Sequence, residues 1–203
     1  MSIRIYPKET VLQRGGIETM VLKTDLENTY TLLMLDLPGA FTNVDRKMFD
    51  LWKKDTLEVF KIAQANINKQ TVEKVTQKFN IDGNEIEVSF IGDENYAASY
   101  ALDLSNNSPE LVGEWGSIVA IPNKGLVNIC KISKDKPLDF IKFIQRTKPM
   151  IEKSFLEHLQ SISNDYFWYY KGKFTRVNIQ TDTKGQINVI APFGLTELMT
   201  SKK

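Results

Sequence analysis

The stretch "EIEVSFIGDENYAASYALDL", residues 85–104, decides which fold class we expect for the whole chain. Its first half alternates between apolar and polar residues, so that Ile86, Val88 and Phe90 fall on one face of an extended backbone. Alternation with a period of two is typical of a strand that is buried on one side. Its second half changes to small and apolar residues nearly all round, which predicts a short buried helix lying close to a sheet.

The start of that predicted helix has two interpretations. Asp93 or Asn95 can accept hydrogen bonds from the free N–H groups of the first turn, as a helix cap does. Alternatively, Asp93, Tyr96 and Ser99 form a small-molecule or peptide site, because a helix N-terminus offers free N–H groups and a partial positive charge. The helix cap is the interpretation that we expect.

Turn signals on both sides of this stretch indicate a series of β-hairpins. Glycine-containing turns separate apolar runs at Asp82–Gly83, Asn123–Gly125 and Lys171–Lys173. Successive hairpins predict antiparallel sheet, whose apolar face must be covered by helices. The fold class is therefore α+β: an antiparallel sheet built from successive hairpins, covered by two long helices and one short buried helix. We expect a single domain over residues 1–203, with two lobes joined near residues 80–83 as the alternative.

The two long helices are predicted from apolar residues at helical spacing. The first spans residues 44–67, with Asn43 as its N-cap, and the second spans residues 137–162. Pro149 lies inside the second helix and has no backbone N–H, so a kink or a break is expected near Lys148.

The overall composition argues against several classes of protein. The chain has 203 residues and a formal net charge of +1, which provides no general attraction to nucleic acid or to an anionic membrane. It has one cysteine and one histidine, which excludes the usual Cys/His zinc sites. We predict no metal and no cofactor. Neither a run of about 20 apolar residues nor an apolar signal region is present, so we expect a cytoplasmic protein without a membrane segment.

The single cysteine and the single histidine are poor candidates for catalysis. Cys130 lies in a predicted strand, "LVNICKI", where an inert buried thiol is expected. His158 lies in the second predicted helix and is expected at its exposed side or rim. Nucleophilic catalysis needs a nucleophile within reach of a base, and no motif in the sequence positions such a pair.

The stretch "YFWYYKGKFTR", residues 166–176, combines five consecutive aromatic residues with basic ones. One interpretation is an exposed binding surface made by Trp168, Tyr170 and Lys173. The other is a core strand, because alternation places aromatic rings on both of its faces and aromatic residues are favoured in strands. If one face is exposed, its rings suit a protein partner better than a nucleic acid, given the near-neutral charge.

Several stretches together resemble the YtpQ-like family of bacterial proteins. They are "VDRKMFDLWKKDTLEVFKIAQANI" (44–67), "DENYAASYALDL" (93–104), "WGSIVAIPNKGLVNI" (115–129) and "YFWYYKGKF" (166–174). The resemblance covers roughly residues 44–175. It implies a bacterial cytoplasmic protein that shares the fold of this family, and it carries over no reaction and no cofactor.

The function that we expect from the sequence is that of a non-enzymatic binding or protein-interaction module. One alternative is an enzyme of unrecognised type with a site near Asp93–Ser99. The other is an immunity-type or antitoxin-type protein that blocks a partner through an exposed aromatic patch. A concave pocket with a perturbed carboxylate would favour the enzyme, whereas an exposed apolar or aromatic surface would favour a protein partner.

Overall fold

The computed structural model describes residues 1–81 and 83–201 and has an α+β fold. Every strand pairing among these residues is antiparallel. This confirms the fold class expected from the hairpin turns, because short connections can join only antiparallel neighbours.

The N-terminal part of the chain forms a four-stranded sheet with helices around it. Its strands have the order β1-β3-β2, and β4 also pairs with β3. In chain order the elements are β1 (Ser2–Pro7), α1 (Lys8–Gln13), β2 (Leu22–Lys23), β3 (Thr29–Leu37), β4 (Ala40–Asn43), α2 (Arg46–Leu51) and α3 (Thr56–Ile67). We call this sheet the N-terminal sheet.

The rest of the chain builds a six-stranded sheet with the order β10-β9-β7-β8-β6-β5, which we call the central sheet. The strands β11 and β12 form a separate two-stranded ribbon. The elements are β5 (Glu73–Ile81), β6 (Asn84–Gly92), α4 (Ala97–Tyr100), α5 (Leu104–Asn107), β7 (Ser117–Asn123), β8 (Leu126–Lys131), α6 (Asp139–Glu157), β9 (Tyr166–Tyr170), β10 (Lys173–Arg176), β11 (Asn178–Thr181), β12 (Ile187–Ile190) and α7 (Phe193–Thr200).

The middle strands of the central sheet, β7, β8 and β9, are buried on both faces. On β7, the neighbouring residues Ile118 and Val119 point to opposite sides, and both have no exposed surface. Val119 belongs to a core shared with α3, α4 and the N-terminal sheet. Ile118 belongs to a second core shared with α6 and α7. Burial on both faces explains why the strands in the middle of this sheet are apolar almost without interruption.

The short helix α4 lies between β1 of the N-terminal sheet and β8 of the central sheet. Its residues Ala97 and Ala98 are at most 2% exposed, and Ala101 directly after it has no exposed surface. Small side chains let the backbone of α4 approach both sheets closely. The short buried helix predicted from residues 85–104 is therefore confirmed.

The predicted helix over residues 44–67 is wrong as a single element, because the structure has two helices there. Asp45, and not Asn43, caps α2: its Oδ1 accepts two backbone N–H groups at 2.8 and 3.3 Å. Between the helices, Lys53 adopts a left-handed conformation with a φ of 51°, and Asp55 then caps α3. The apolar spacing continues across this break, so periodicity alone could not reveal it.

The second predicted helix is present but shorter, from Asp139 to Glu157, and it does not break at Lys148. Pro149 lies inside it and leaves the carbonyl group of Gln145 without a helical donor. The helix continues because Ile144 and Ile151, on either side of the proline, are fully buried against the central sheet. Here, tertiary packing overrides a local helix-breaking signal.

Two of the three predicted hairpin turns are confirmed. Lys124 and Gly125 connect β7 to β8, and Lys171 and Gly172, with φ values of 48° and 74°, connect β9 to β10. A positive φ at both central residues is the requirement of a type I′ hairpin turn. In the third predicted turn, Asp82 lies outside the described residues.

The proposed junction of two lobes near residues 80–83 falls at the end of the β5–β6 hairpin. Ile81 and Asn84 are paired there, and both strands belong to the central sheet. The organisation as one domain or two lobes stays a prediction.

Two glycines with similar backbone conformations provide a test of how closely β9 approaches the chain at the start of β7. Gly116 has a φ of 81°, and a Cβ atom there would lie 2.2 Å from the carbonyl oxygen of Tyr169. Gly39 has a φ of 77° and open space around its Cβ position. We expect Gly39→Ala to lower the free energy of unfolding by about 1–2 kcal/mol through backbone strain alone. Gly116→Ala should cost a further 1–3 kcal/mol, roughly, through overpacking. Urea unfolding of both variants measures the difference, and equal losses would contradict the close approach.

Candidate functional site

Asp93 caps the turn that leads into α4, whereas the N-cap of α4 itself is Tyr96, which makes no side-chain cap hydrogen bond. The Oδ1 of Asp93 accepts hydrogen bonds from the backbone N–H groups of Asn95 at 2.8 Å and Tyr96 at 2.7 Å. The prediction that Asp93 or Asn95 caps α4 itself is therefore wrong: Asp93 caps the turn before the helix, and Asn95 is one of the two donors. These N–H groups, which the alternative interpretation offers to a ligand, already have an acceptor within the chain.

Ser99 is a structural residue. Its hydroxyl group donates a 2.8 Å hydrogen bond to the carbonyl oxygen of Ile3, and the residue is 3% exposed. Ile3 belongs to β1, an edge strand of the N-terminal sheet. The Ser99 side chain thus binds a backbone group of that edge. The interpretation of Ser99 as part of an enzyme site stays a prediction.

A buried arginine, which the sequence analysis did not identify, joins the α4 segment to the N-terminal sheet. Arg4 is 8% exposed, and its guanidinium group donates to Asn95 Oδ1 at 3.1 Å and to Gln160 Oε1 at 3.4 Å. Its Cζ lies 3.6 Å from the centroid of the Phe41 ring. Amide oxygens and an aromatic face offset part of the cost of burying the charge.

Tyr96 adds a second connection at the same place. Its hydroxyl group donates to Asp36 Oδ2 at 2.8 Å, and its ring packs edge-to-face on Phe41 at 5.9 Å. Desolvation, followed by the nearby Asp36 carboxylate, raises the pKa of Tyr96 to about 12, so the phenol stays neutral near pH 7. The structure therefore brings Asp93, Tyr96 and Ser99 together in one segment. Tyr96 and Ser99 connect this segment to the N-terminal sheet through Asp36 and Ile3.

The five aromatic residues of 166–170 form a core strand. Tyr166, Phe167 and Tyr169 have no exposed surface, and Trp168 is 7% exposed. The indole Nε1 of Trp168 donates to the carbonyl oxygen of Trp115 at 2.8 Å. Of the two interpretations of this stretch, the structure confirms the core strand, and Trp168 is not part of an exposed surface.

The remaining residues of that candidate surface lie at its margin. Tyr170 is half-buried and stacks on Trp168 with a centroid distance of 5.1 Å. The backbone of α7 lies against the other part of the indole, where a Cβ at Gly194 would be 3.2 Å from the ring. Lys173 is exposed beside the hairpin turn. The helix α7, which the sequence analysis did not predict, covers the indole of Trp168.

Cys130 and His158 have different surroundings, and no hydrogen bond joins them among the described residues. Cys130 is 1% exposed in the core beneath α6, and burial raises the pKa of its thiol to about 12. His158 directly follows α6, and its Nδ1 accepts the backbone N–H of Gln160 at 2.9 Å. Within residues 1–81 and 83–201, no group of three or more His, Cys, Asp or Glu residues could hold a metal ion.

An apolar groove, which the sequence analysis missed, runs along α3 beside the N-terminal sheet. Its volume is about 540 Å³. We call it the α3 groove, and its lining residues are Met1, Leu35, Trp52, Lys54, Glu58, Val59 and Ile62. Ile62 is 45% exposed and Met1 is 39% exposed. The half-buried indole of Trp52 packs on Phe49 at 5.4 Å, which holds it at the edge of the groove.

A signal for this groove is present in the sequence of α3. The buried residues of this helix, Val59, Phe60, Ala63 and Ile67, form one stripe. Ile62 is an apolar residue outside the stripe, lines the groove and is 45% exposed. A helix with more apolar residues than its buried face requires has an apolar surface available for contact with another molecule.

Comparisons with known proteins give no match. No protein-family model matches the chain, and no curated protein and no solved structure is significantly similar to it. Among the described residues, no helix is both long enough and apolar enough to cross a membrane.

The role of Asp93 as a cap can be tested by removing and by retaining its side-chain oxygen. We expect Asp93→Ala to lower the free energy of unfolding by about 1 kcal/mol, because two N–H groups lose their acceptor. Asp93→Asn retains an acceptor oxygen and should cost less than half as much. Thermal and urea unfolding measure both changes. A loss that is equal in the two variants would indicate that the charge, and not the cap, is what matters.

The state of Cys130 can be tested by alkylation. A rise of the thiol pKa from 9.0 to about 12 lowers the thiolate fraction about a thousandfold at mildly alkaline pH. We therefore expect iodoacetamide to leave the native protein unmodified and to modify it fully in guanidinium chloride, as measured by intact mass. Rapid alkylation of the native protein would show that the thiol is accessible and its pKa ordinary.

Proposed function

We propose that this protein is a non-enzymatic module that binds a protein partner in the α3 groove. The observation that carries the proposal is the groove itself: an exposed apolar surface that includes a half-buried tryptophan, Trp52, and partly exposed Ile62. Lys54 and Glu58 form part of its lining. An apolar centre with a polar rim is the usual anatomy of a protein–protein interface, and tryptophan is enriched among the residues that dominate binding energy.

The geometry of Trp52 favours a binding role. The residue lies between α2 and α3, next to Lys53, which has a left-handed backbone conformation. Its indole packs on the ring of Phe49. Because the indole is already held in place, the Trp52 side chain would lose little conformational entropy when a partner binds. Burying Ile62 and Met1 in the same contact would add the free energy of removing apolar surface from water.

The environments of the nucleophile candidates support a non-enzymatic role. The hydroxyl proton of Ser99 is used in the bond to Ile3, and the pKa of the Cys130 thiol is raised by burial. A partner-blocking role of the immunity or antitoxin type is compatible with the same groove. In that role, the protein would bind the partner through the groove and cover the active surface of the partner. The identity of the captured partner distinguishes this role from a general adaptor.

The resemblance to the YtpQ-like family gives a second, weaker argument about context. The α3 groove lies partly within residues 44–67, the first of the stretches that carry that resemblance. We propose on this basis that the protein is bacterial and acts in the cytoplasm.

The test is capture of a partner with wild-type protein and two matched variants. Ile62→Asp places a charge in the α3 groove, and Leu156→Asp places the same charge at a residue of α6 that is 78% exposed and outside the groove. Both positions are exposed enough for the variants to fold, which circular dichroism and melting temperature verify. We expect a partner that wild type and Leu156→Asp capture equally and that Ile62→Asp captures at least about tenfold less.

Quantitative mass spectrometry of the captured proteins and light scattering of the purified chain complete the test. If wild type is a dimer and Ile62→Asp a monomer, the partner is a second copy of this chain. The proposal fails if all three proteins capture the same set in equal amounts and Ile62→Asp leaves the oligomeric state unchanged.

A further inference from the structure

A second apolar cavity lies on the other side of the molecule, between α6 and the β5–β6 hairpin. Its volume is about 240 Å³. We call it the α6 cavity, and its lining residues are Phe79, Ile81, Val88, Phe90, Phe143, Arg146, Thr147 and Met150. It shares no lining residue with the α3 groove.

The cavity is formed by one face of a helix and one face of a hairpin. The four residues from α6 are spaced i, i+3, i+4 and i+7, so they lie along a single stripe. The four residues from β5 and β6 alternate along their strands and lie on the face that α6 covers. The cavity runs from a buried end to an open one, because Phe143 has no exposed surface whereas Met150 is 39% exposed.

The buried end offers little to a polar ligand. The hydroxyl group of Thr147 donates to the carbonyl oxygen of Phe143 at 2.7 Å, and it is also hydrogen-bonded to the hydroxyl group of Tyr166 at 2.8 Å. The other residues there contribute carbon surface. A ligand that enters must therefore be apolar over the part that is buried, because an unpaired polar group would lose its hydrogen bonds to water.

The charged residue of the lining lies on the exposed side of α6. Arg146 is exposed, and its guanidinium group makes no hydrogen bond and no ion pair with any residue of the described part of the chain. On the same helix, Lys148 is paired with Glu152. A guanidinium group binds a carboxylate through two parallel hydrogen bonds, which are charge-assisted and stronger than neutral ones.

From this arrangement we propose that the α6 cavity binds a small amphiphilic monocarboxylate. The apolar part of the ligand, an alkyl chain or an aromatic ring, fills the cavity between Phe90, Phe143 and Val88. Its carboxylate lies at the opening and pairs with Arg146. The ligand is smaller than a drug-sized molecule, because the volume is below the usual range of about 300–1,000 Å³ for such sites.

Two pairs of probes separate the contribution of the charge from that of the apolar body. Octanoate and 1-octanol share a chain, and 4-phenylbutyrate and 4-phenyl-1-butanol share an aromatic body. We expect isothermal titration to show that each acid binds at least about tenfold more tightly than the matching alcohol, because the alcohol lacks the charge-assisted pair. The tighter of the two acids tells whether the natural ligand is aliphatic or aromatic.

Matched variants then locate the site. Arg146→Gln should abolish the preference for acid over alcohol and leave the affinity for the alcohol unchanged. The control variant Arg14→Gln removes an exposed arginine that lies beside Tyr6 and does not line the cavity. It should leave all affinities unchanged. Met150→Trp places a large ring at the opening of the cavity and should weaken the binding of acid and alcohol alike.

The proposal is overturned if neither acid binds, if acid and alcohol bind equally, or if Arg146→Gln keeps the preference for the acid. Ile62→Asp, the variant of the α3 groove, should bind the acids as wild type does. The proposals for the α3 groove and the α6 cavity can therefore be confirmed or contradicted independently of each other.

Discussion

The close approach of α4 to two sheets at once is the constraint on which the rest of the structure depends. Its alanines lie between β1 and β8, and the hydroxyl group of Ser99 bonds to the free carbonyl of Ile3 at the edge of β1. An edge strand with unpaired backbone groups is open to pairing with other chains. Here the α4 segment covers part of that edge, so the same contact joins the two sheets and protects one of them.

Burial of the middle strands β7, β8 and β9 on both faces follows from this arrangement. One face packs on α4 and α3, and the other packs on α6 and α7. A strand buried on both faces is apolar at most of its positions, which is why Tyr166–Tyr170 has aromatic rings in both directions. The polar atoms of these rings then need internal partners, and Trp168 and Tyr166 find them in Trp115 and Thr147.

The two apolar sites lie where this packing is incomplete. Along α3, the helix has more apolar residues than its contact with the sheets requires, and Ile62 stays in contact with water. Beside α6, the helix covers the middle of the central sheet, and the β5–β6 hairpin extends past its flank. The first site is open and wide, whereas the second is narrow and partly enclosed, and its lining includes Arg146, which has no ion-pair partner among the described residues. These differences in shape and charge are why we propose different classes of ligand for the two sites.

The fold class was determined by the sequence alone, because hairpin turns such as Lys171–Gly172 and the alternation in β6 are local properties of the chain. The buried α4 could be predicted for the same reason, but its start at Ala97, after the turn that Asp93 caps, could not. Only the tertiary structure decided which side chains are accessible, since Trp168 is covered by a helix that is distant in sequence. It also decided that Pro149 does not end α6, because packing on both sides of the proline outweighs the lost hydrogen bond. The α3 groove and the α6 cavity join residues from separate elements, and no local pattern brings such residues together.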